Sequence, residues 1–285
     1  MNEIKNTSDG FLQILKKMHI ETVESNLHEE KCTCEKHGEY SSYVDEDGNG
    51  TGCPVCAQER TAERKKKELE EQQEEERQRI EEQKRTLHIQ KCKRLNISPE
   101  FYFATLDDYI PKTKAQEEAK RAVAELIKKK SGKIILLGNN GCGKTMLGSI
   151  ACMALDGCIY TMYEISTMIR QSYTSKAVKS ELEILEDLIE PQLLVIDEVG
   201  RIANSEAVQN WFSFLLDKRH SRKKATILNG NLHFKKDCEN GGCPGCFENY
   251  FDKDVLSRFH EDTTVIVIKS SDERKNKQTM KYFSD

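Results

Sequence analysis

The sequence lacks the long apolar runs and the leader segment of membrane and secreted proteins. No stretch of its 285 residues approaches the roughly 18–20 apolar residues of a membrane-spanning helix. The segment that opens with Met1–Lys5 has no apolar signal-peptide core. The formal net charge of −4 also lacks the strong positive excess of a generally basic nucleic-acid-binding protein. We therefore expect a cytoplasmic protein with no membrane partner.

Cysteine is abundant, but its distribution argues against a disulfide-bonded secreted protein. The chain has 11 cysteines, and several of them fall in short-spaced clusters. Such clusters in a chain that also carries a nucleotide-binding motif, described next, indicate metal binding in a reducing compartment.

A glycine-rich segment in the middle of the chain has the spacing G-x-x-x-x-G-K-T of a phosphate-binding loop. It follows an apolar run, Ile134–Leu137, that predicts a buried parallel strand, and it precedes residues that predict a helix. Glycines let the backbone wrap a phosphate chain, and the N–H groups at the helix N-terminus then point at the anion. Lys144 would reach the β- and γ-phosphates, and Thr145 would ligate Mg²⁺. The loop residues are Gly138, Asn139, Asn140, Gly141, Cys142, Gly143, Lys144 and Thr145.

A second apolar run, Leu193–Ile196, ends in two acidic residues about fifty positions downstream. In a phosphate-binding-loop protein the first acid, Asp197, completes the Mg²⁺ shell, and an adjacent acid, Glu198, can polarise the attacking water. The two acids could instead simply open the next loop, but their pairing with the upstream motif favours the catalytic interpretation. The order of strands and helices predicts an α/β fold with a doubly wound parallel sheet, whose nucleotide lies at the carboxyl ends of the strands.

Two pairs of soft ligands near the N-terminus predict a small zinc ribbon at residues 32–56. Cys34-x-x-His37 and Cys53-x-x-Cys56 can each form a tight knuckle, and four such ligands make a closed structural Zn²⁺ site. Cys32 competes for a place in the first pair. Residues 39–44 and the turn at 45–50 predict a hairpin between the knuckles. A module this small has too little core to fold without its metal.

The segments on either side of the ribbon are polar. In segment 1–31, residues 8–20 predict a short amphipathic helix, which either packs on its neighbour or binds a partner, and residues 21–31 predict a linker. Segment 57–94 is almost wholly Glu, Lys, Arg and Gln, with too few apolar residues for a coiled coil. It forms either a solvated spacer helix or a disordered tract, and we favour the helix.

Further strands and polar clusters follow the phosphate-binding loop. Apolar runs at 158–162, 225–228 and 265–268 predict strands, and helices are expected in 115–130, 163–190 and 208–219. Asn231 stands just past the end of the predicted strand at 225–228, where it can hold the attacking water or sense the γ-phosphate. The basic residues between 218 and 224, Arg219 among them, either contact DNA phosphates or are solvated.

Residues 95–270 resemble the DnaC/DnaI/IstB group of AAA+ ATPases. The resemblance is carried by Ile97–Phe101 with Ala104–Leu106 and Tyr109, by Leu194–Gly200, by Ile227–Leu232 and by Arg258. It implies that Asn231 occupies the sensor-1 position and that Arg258 reaches the nucleotide of a neighbouring subunit. A zinc ribbon and a charged helix ahead of the ATPase domain are most similar to phage-type DnaC homologues.

The resemblance implies a replicative helicase loader in the cytoplasm of a bacterium or a phage-infected host. Such a protein would hydrolyse ATP with Mg²⁺, bind a DnaB-type ring helicase and single-stranded DNA in DNA replication, and self-associate through its ATPase domain. The alternatives are an IstB-like transposition helper ATPase and an adaptor that binds nucleotide without hydrolysing it.

The chain departs from that group in three places. Ser257 stands where the group often has Asp, and Arg274, in the polar tail 271–285, is a weak candidate for sensor 2. Between Leu232 and Val255 the chain inserts three cysteines in a glycine-rich segment. Cys238, Cys243 and Cys246 form either a second zinc site, with His233 or His260 as its fourth ligand or with no fourth ligand, or a set of free thiols.

Overall fold

A computed structural model gives the architecture in two compact units, which divide between Glu82 and Gln83. The structure describes residues 28–44, 47, 50–203, 205–239, 242–259 and 262–269. The helix expected at 8–20, the tail 271–285, His260 and Arg274 lie outside these residues. In the described parts of the chain, no helix combines the length and apolar character needed to cross a bilayer.

The first unit contains an antiparallel hairpin of strands β1, His28–Cys34, and β2, Gly38–Val44. This corrects the expected hairpin, because residues 39–44 pair upstream with residues 28–33, the first four of which belong to the predicted linker, and the turn is at Glu35–His37. Gly38 makes that tight turn feasible with a φ of 79°, a left-handed conformation that glycine adopts without strain. At the predicted turn of 45–50, the described residues include an isolated antiparallel bridge that pairs Val44 with Gly50.

Helix α1, Pro54–Arg94, resolves the choice between a spacer helix and disorder in favour of the helix. Its residues are mostly strong helix formers. Ion pairs such as Arg64–Glu68 and Lys66–Glu70 link successive turns along its exposed surface. The helix begins three residues earlier than the predicted spacer, so that Cys56 lies in its first turn.

The second unit is built on a five-stranded parallel sheet with the spatial order β4-β5-β6-β3-β7. The strands are β3, Lys133–Gly138; β4, Cys158–Thr161; β5, Leu193–Val199; β6, Ala225–Gly230; and β7, Thr263–Ile268. The predicted strands are therefore all present. The run at 158–162 is one residue shorter than expected, because Thr161 caps the following helix through a hydrogen bond from the Glu164 N–H.

Helices cover both faces of this sheet, which confirms the doubly wound α/β fold. They are α2, Lys114–Lys129; α3, Lys144–Leu155; α4, Met162–Ser172; α5, Glu181–Ile189; α6, Glu206–Ser221; α7, Phe247–Tyr250; and α8, Lys253–Arg258, with 3₁₀ turns at Pro99–Phe101 and Lys235–Asp237. Alternate residues of β3 divide between two cores, with Ile135 and Leu137 in one and Ile134 and Leu136 in the other.

Arg219 corrects the expectation that the basic residues near 218–224 contact DNA or are solvated. Its side chain is fully buried, and burial lowers the pKa of its guanidinium to about 10. The guanidinium donates hydrogen bonds to Thr226 Oγ1 and to the carbonyls of Leu188, Ile189, Pro191 and Ala225. It therefore satisfies carbonyls at the C-terminal end of α5, where a cation also complements the helix dipole.

Candidate nucleotide site and two cysteine–histidine clusters

The phosphate-binding loop leaves β3 at Gly138 and enters α3 after Gly143. Both glycines have positive φ, 153° and 91° respectively. A Cβ on Gly143 would lie 2.5 Å from the Tyr109 ring, whose hydroxyl donates a 3.2 Å hydrogen bond to the Cys142 carbonyl. Tyr109 thus supports the loop from a position 33 residues before Cys142.

Lys144 is 7% exposed and holds the loop in shape through its ammonium group. Its Nζ donates to the carbonyls of Gly138 at 2.7 Å and Asn139 at 2.9 Å, and to Asn231 Oδ1 at 3.1 Å. The charged group therefore lies within the loop, where phosphate oxygens can take the place of these neutral acceptors.

Thr145 and Asp197 come together although 52 positions separate them. The Thr145 hydroxyl donates a 2.6 Å hydrogen bond to Asp197 Oδ2, and Asp197 Oδ1 accepts one of 2.8 Å from the Glu198 N–H. The fold therefore joins the first turn of α3 to the acidic end of β5. A hydroxyl and a carboxylate are hard oxygen ligands of the kind that Mg²⁺ prefers.

Glu198 stands at an irregularity in the sheet. The pairing of β5 with β6 shifts register between Ile196 and Val199, and Glu198 has a φ of 55°, a conformation that costs a non-glycine residue roughly 1–2 kcal/mol. Strain of this kind is often found at functional sites. The carboxylate of Glu198 forms an ion pair with Arg201 at the surface.

Asn231 links the end of β6 to the phosphate-binding loop. Besides accepting from Lys144, it donates through Nδ2 to Asn140 Oδ1 at 2.6 Å. The structure therefore brings Asn231 to the loop, as the sequence predicted. Arg258 is the last residue of α8. Its side chain lies outside the described part of the chain, so its role stays a prediction.

The first cysteine–histidine cluster comprises Cys34, His37, Cys53 and Cys56, and Cys32 is not one of its members. One ligand atom from each residue lies within 4.8 Å of the others. His37 Nδ1 is 3.3 Å from the Cys56 sulfur. Hydrogen bonds from the backbone N–H groups of Lys36 and His37 lower the pKa of the Cys34 thiol to about 6. A thiolate is therefore accessible at neutral pH, which is the form that binds metal.

The second cluster comprises His233, Cys238, Cys243 and Cys246, which also offer four ligand atoms within 4.8 Å of one another. The sequence offers His233 and His260 as candidates for the fourth ligand, and the structure brings His233 to the cysteines. His233 Nε2 lies 3.4 Å from the sulfurs of both Cys243 and Cys246.

Sequence reasoning missed the contact of Tyr109 with the loop and the anchoring role of Arg219. In the sequence, only the family resemblance marks Tyr109, since no spacing rule connects it to the loop. Arg219 lies in a basic run, where composition indicates exposure. Its one available signal was its place four residues after the apolar Leu215 on a helix, which predicts a shared face.

Comparisons with known proteins agree with this geometry. The family model described as IstB-like ATP binding protein matches residues 58–279. The replicative helicase loader DnaC of Escherichia coli K12 is 26% identical over 164 residues, which cover 54% of this chain and 66% of that protein. DnaC of Shigella flexneri matches with the same figures. The chain therefore spans just under two thirds of the length of these curated relatives.

Two solved structures match part of this chain. The replication initiator DnaA bound to AMPPCP and single-stranded DNA gives a TM-score of 0.50 at 17% identity, covering 61% of this chain and 51% of that chain. The DnaC helicase loader gives a TM-score of 0.49 at 20% identity, covering 60% of this chain and 100% of that chain. At these identities the DnaA likeness supports the fold alone.

Proposed function

This chain belongs to the family of IstB-like ATP-binding proteins, and on that premise we propose that it is an ATP-hydrolysing loader of a ring-shaped replicative helicase. The observation that carries the proposal is the 2.6 Å contact between Thr145 and Asp197. That contact assembles the phosphate-binding loop and the acidic strand into one site, which is the arrangement that hydrolysis of a nucleoside triphosphate requires.

Each residue of the site has a distinct role in the proposal. Lys144 exchanges its bonds to loop carbonyls for bonds to the β- and γ-phosphates. Glu198 leaves its surface pair with Arg201 and orients the attacking water, and Asn231 senses the γ-phosphate from the end of β6. Glu198 can change partner at small cost, because an exposed ion pair contributes only about 0–1 kcal/mol.

The side chains present fit a magnesium ion. Thr145 and Asp197 would hold it, since both offer hard oxygen atoms at the point where the loop meets the acidic strand. When bound, Mg²⁺ neutralises charge on the phosphates. Arg258, at the end of α8, would act on the nucleotide of a neighbouring copy, so the proposal includes self-association through the ATPase domain at 95–270.

The names of the relatives support the choice of partners. DnaC is a replicative helicase loader, and the family resemblance implies single-stranded DNA as a second partner of such a protein. We assign the same partner classes, a DnaB-type helicase and single-stranded DNA, to this chain. Segment 1–31 and the zinc ribbon at 32–56 would contact the helicase, with 57–94 as the spacer, and this assembly would work in the bacterial cytoplasm.

A transposition helper is the second candidate function, and the match of residues 58–279 to the IstB-like family favours it. The two functions share the ATP site and differ in the partner protein that binds the chain in response to its bound nucleotide. A non-hydrolysing adaptor is a weaker rival, because Glu198 stands where a hydrolysing site needs its carboxylate.

A pull-down with the full-length protein separates these candidates. We expect a replicative helicase to be retained in a way that depends on ATP, and Glu198→Gln, which should bind ATP without turnover, to hold the nucleotide-dependent state. Lys144→Ala is the matched control that cannot reach that state. ATP-dependent retention of a transposase in place of the helicase would favour the transposition helper, and absence of multiple turnover in the wild-type protein would favour the adaptor.

A further inference from the structure

We infer that His233, Cys238, Cys243 and Cys246 bind a structural zinc ion that ties the chain just beyond Asn231 to the segment leading to Arg258. The existence of this zinc site is independent of the proposed function. Its effect on ATP sensing rests on the role proposed for Asn231.

The spacing of the ligand atoms matches a tetrahedral zinc site. With Zn–S near 2.3 Å and Zn–N near 2.05 Å, the edges of the tetrahedron are about 3.8 Å between sulfurs and about 3.6 Å between nitrogen and sulfur. The sulfurs of Cys243 and Cys246 are 3.9 Å apart, and His233 Nε2 is 3.4 Å from each. Three thiols and one imidazole close the coordination sphere, so the site is structural and leaves no position for a substrate.

The backbone around the second pair of cysteines forms a metal-binding knuckle. The Cys246 N–H donates to the Cys243 carbonyl at 3.0 Å, and the Cys243 N–H donates to the Cys246 sulfur at 3.3 Å. A Cβ on Gly245 would lie 3.3 Å from His233 Cε1, so a glycine there gives the imidazole room. Together these contacts give the segment from Cys243 to Cys246 the form of a knuckle whose two sulfurs face the imidazole of His233.

The knuckle is hydrogen-bonded to the chain that follows the nucleotide sensor. His233 lies two residues after Asn231. The His233 N–H donates to the Gly245 carbonyl at 3.2 Å, and the Phe247 N–H donates to the His233 carbonyl at 2.7 Å. A metal bound through the imidazole of His233 would fix both the side chain and the backbone at this point, and so restrict the position of Asn231.

The other side of the knuckle leads into a buried aromatic group. Phe247, directly after Cys246, packs against Phe251 and Phe259 at centroid distances of 5.2 Å and 5.5 Å. Phe259 follows Arg258 in the chain. The metal thus joins the segment just after Asn231 to helix α8, which ends in the proposed trans-acting Arg258. Through this link, γ-phosphate sensing at Asn231 can be coupled to the neighbouring copy.

Zinc counting in the full-length protein tests the site directly. We expect close to two Zn²⁺ per chain in freshly reduced wild-type protein, one in Cys53→Ser/Cys56→Ser and one in Cys243→Ser/Cys246→Ser. Cys32→Ser is the matched control, since it removes a thiol outside both clusters and should keep both ions. A Cys53→Ser/Cys56→Ser protein without zinc would overturn the inference, and this variant leaves the second cluster untouched.

Cobalt substitution gives a second measurement that does not depend on the folding of the Cys243→Ser/Cys246→Ser variant. We expect Co²⁺ added to zinc-free Cys53→Ser/Cys56→Ser protein to give thiolate-to-cobalt charge-transfer absorption and the ligand-field intensity of a tetrahedral site. A spectrum of octahedral, oxygen-coordinated Co²⁺ would contradict the site.

The coupling is tested by nucleotide discrimination. We expect the ratio of affinities for a non-hydrolysable ATP analogue and for ADP to fall about tenfold when zinc is chelated from Cys53→Ser/Cys56→Ser protein, and to fall similarly in Asn231→Ala with zinc retained. An unchanged ratio after loss of zinc would refute the coupling. Failure of helicase loading would appear in the pull-down and would leave the zinc counts, the cobalt spectrum and the nucleotide discrimination unaffected.

Discussion

The two cysteine–histidine clusters have the same composition, three thiols and one imidazole, but opposite surroundings. In residues 28–53 of the described chain only Ser42, Val44 and Cys53 are buried, so the first cluster has almost no core beneath it. The second cluster leads into the buried aromatic group around Phe247. The same ligands would therefore supply most of the folding free energy in the ribbon, and would position an already folded segment in the ATPase unit.

The two imidazoles also face their thiols through different nitrogen atoms. His37 presents Nδ1 to the cysteines and places Nε2 3.2 Å from the Glu59 carboxylate, whereas His233 presents Nε2. A carboxylate on the far nitrogen orients a metal-bound imidazole and raises its basicity. The hydrogen bond with the Cys34 thiol raises the pKa of His37, and the contact with Glu59 adds a smaller effect in the same direction. The ribbon thus has an outer-sphere support where its apolar support is weakest.

The largest expected effect is the loss of the ribbon when zinc is removed. With so little core, strands β1 and β2 should lose all amide protection after chelation, while β3, β5 and β6 keep theirs because many apolar residues other than the metal ligands form their cores. Hydrogen exchange followed by mass spectrometry on the full-length protein measures both regions at once. Equal protection of the hairpin before and after chelation would show that the first cluster does not supply the folding free energy of the ribbon.

Substitution of Lys144 by alanine should abolish nucleotide binding while both zinc ions remain. Removing charge-assisted bonds to phosphate costs about 3 kcal/mol or more, which corresponds to a loss of affinity of at least about 100-fold. Fluorescent nucleotide titration checks the loss of binding in Lys144→Ala, and metal analysis checks that the zinc remains.

Thr145→Ala should impair Mg²⁺-dependent turnover, and Glu198→Gln should bind ATP but not hydrolyse it. Normal turnover in Glu198→Gln would remove Glu198 from its catalytic role.

Arg258→Ala should fold and bind ATP with near wild-type affinity, yet lose roughly tenfold or more of the turnover, because a guanidinium near the γ-phosphate stabilises charge in the transition state. The lost activity should be the part that rises with protein concentration. Mixing this variant with Lys144→Ala should restore some activity, since certain interfaces then pair an intact loop with an intact Arg258. A flat activity per chain across the range of self-association, with no rescue on mixing, would show that Arg258 does not act in trans.

The smallest expected effect separates the two imidazoles. Glu59→Gln should weaken zinc binding at the first cluster about tenfold, in line with other outer-sphere partners of metal-bound histidine, and leave the second cluster unchanged. Competition with a chromophoric chelator measures the two affinities in one titration. Glu63→Gln, one turn further along the same helix, is the matched control, and an equal effect of both substitutions would mean that only net charge matters.

Contiguous motifs made the nucleotide site predictable from the sequence. The loop residues and Asp197 are adjacent to apolar runs, so spacing alone placed them at strand ends. The choice between Cys32 and Cys34 could not be made that way, because both lie on the same face of one strand. The hairpin register decides it by placing Cys34 opposite Gly38 beside the turn, while Cys32 pairs with Tyr40 further away.

The choice of His233 among the candidate fourth ligands and the burial of Arg219 could not be made from the sequence for a different reason. His233 meets the cysteines only because its backbone is bridged to the knuckle, which is a tertiary contact with no local signal. Arg219 is enclosed by carbonyls that come from a helix end some thirty positions upstream. Composition and periodicity describe neighbours along one element, and neither residue is held by its own element.

The carbonyl acceptors that surround Arg219 have a consequence for the rates at which the protein folds and unfolds. The acceptors on Leu188 and Pro191 are 31 and 28 positions away, so this cage of carbonyls cannot close until the end of α5 and the start of β6 are both in place. We expect the cage to close after the folding transition state, and contacts formed after it affect mainly the rate of unfolding. Replacing Arg219 should therefore leave the rate of folding almost unchanged and speed unfolding, so that the lifetime of the native sheet depends on a side chain far from its nucleotide.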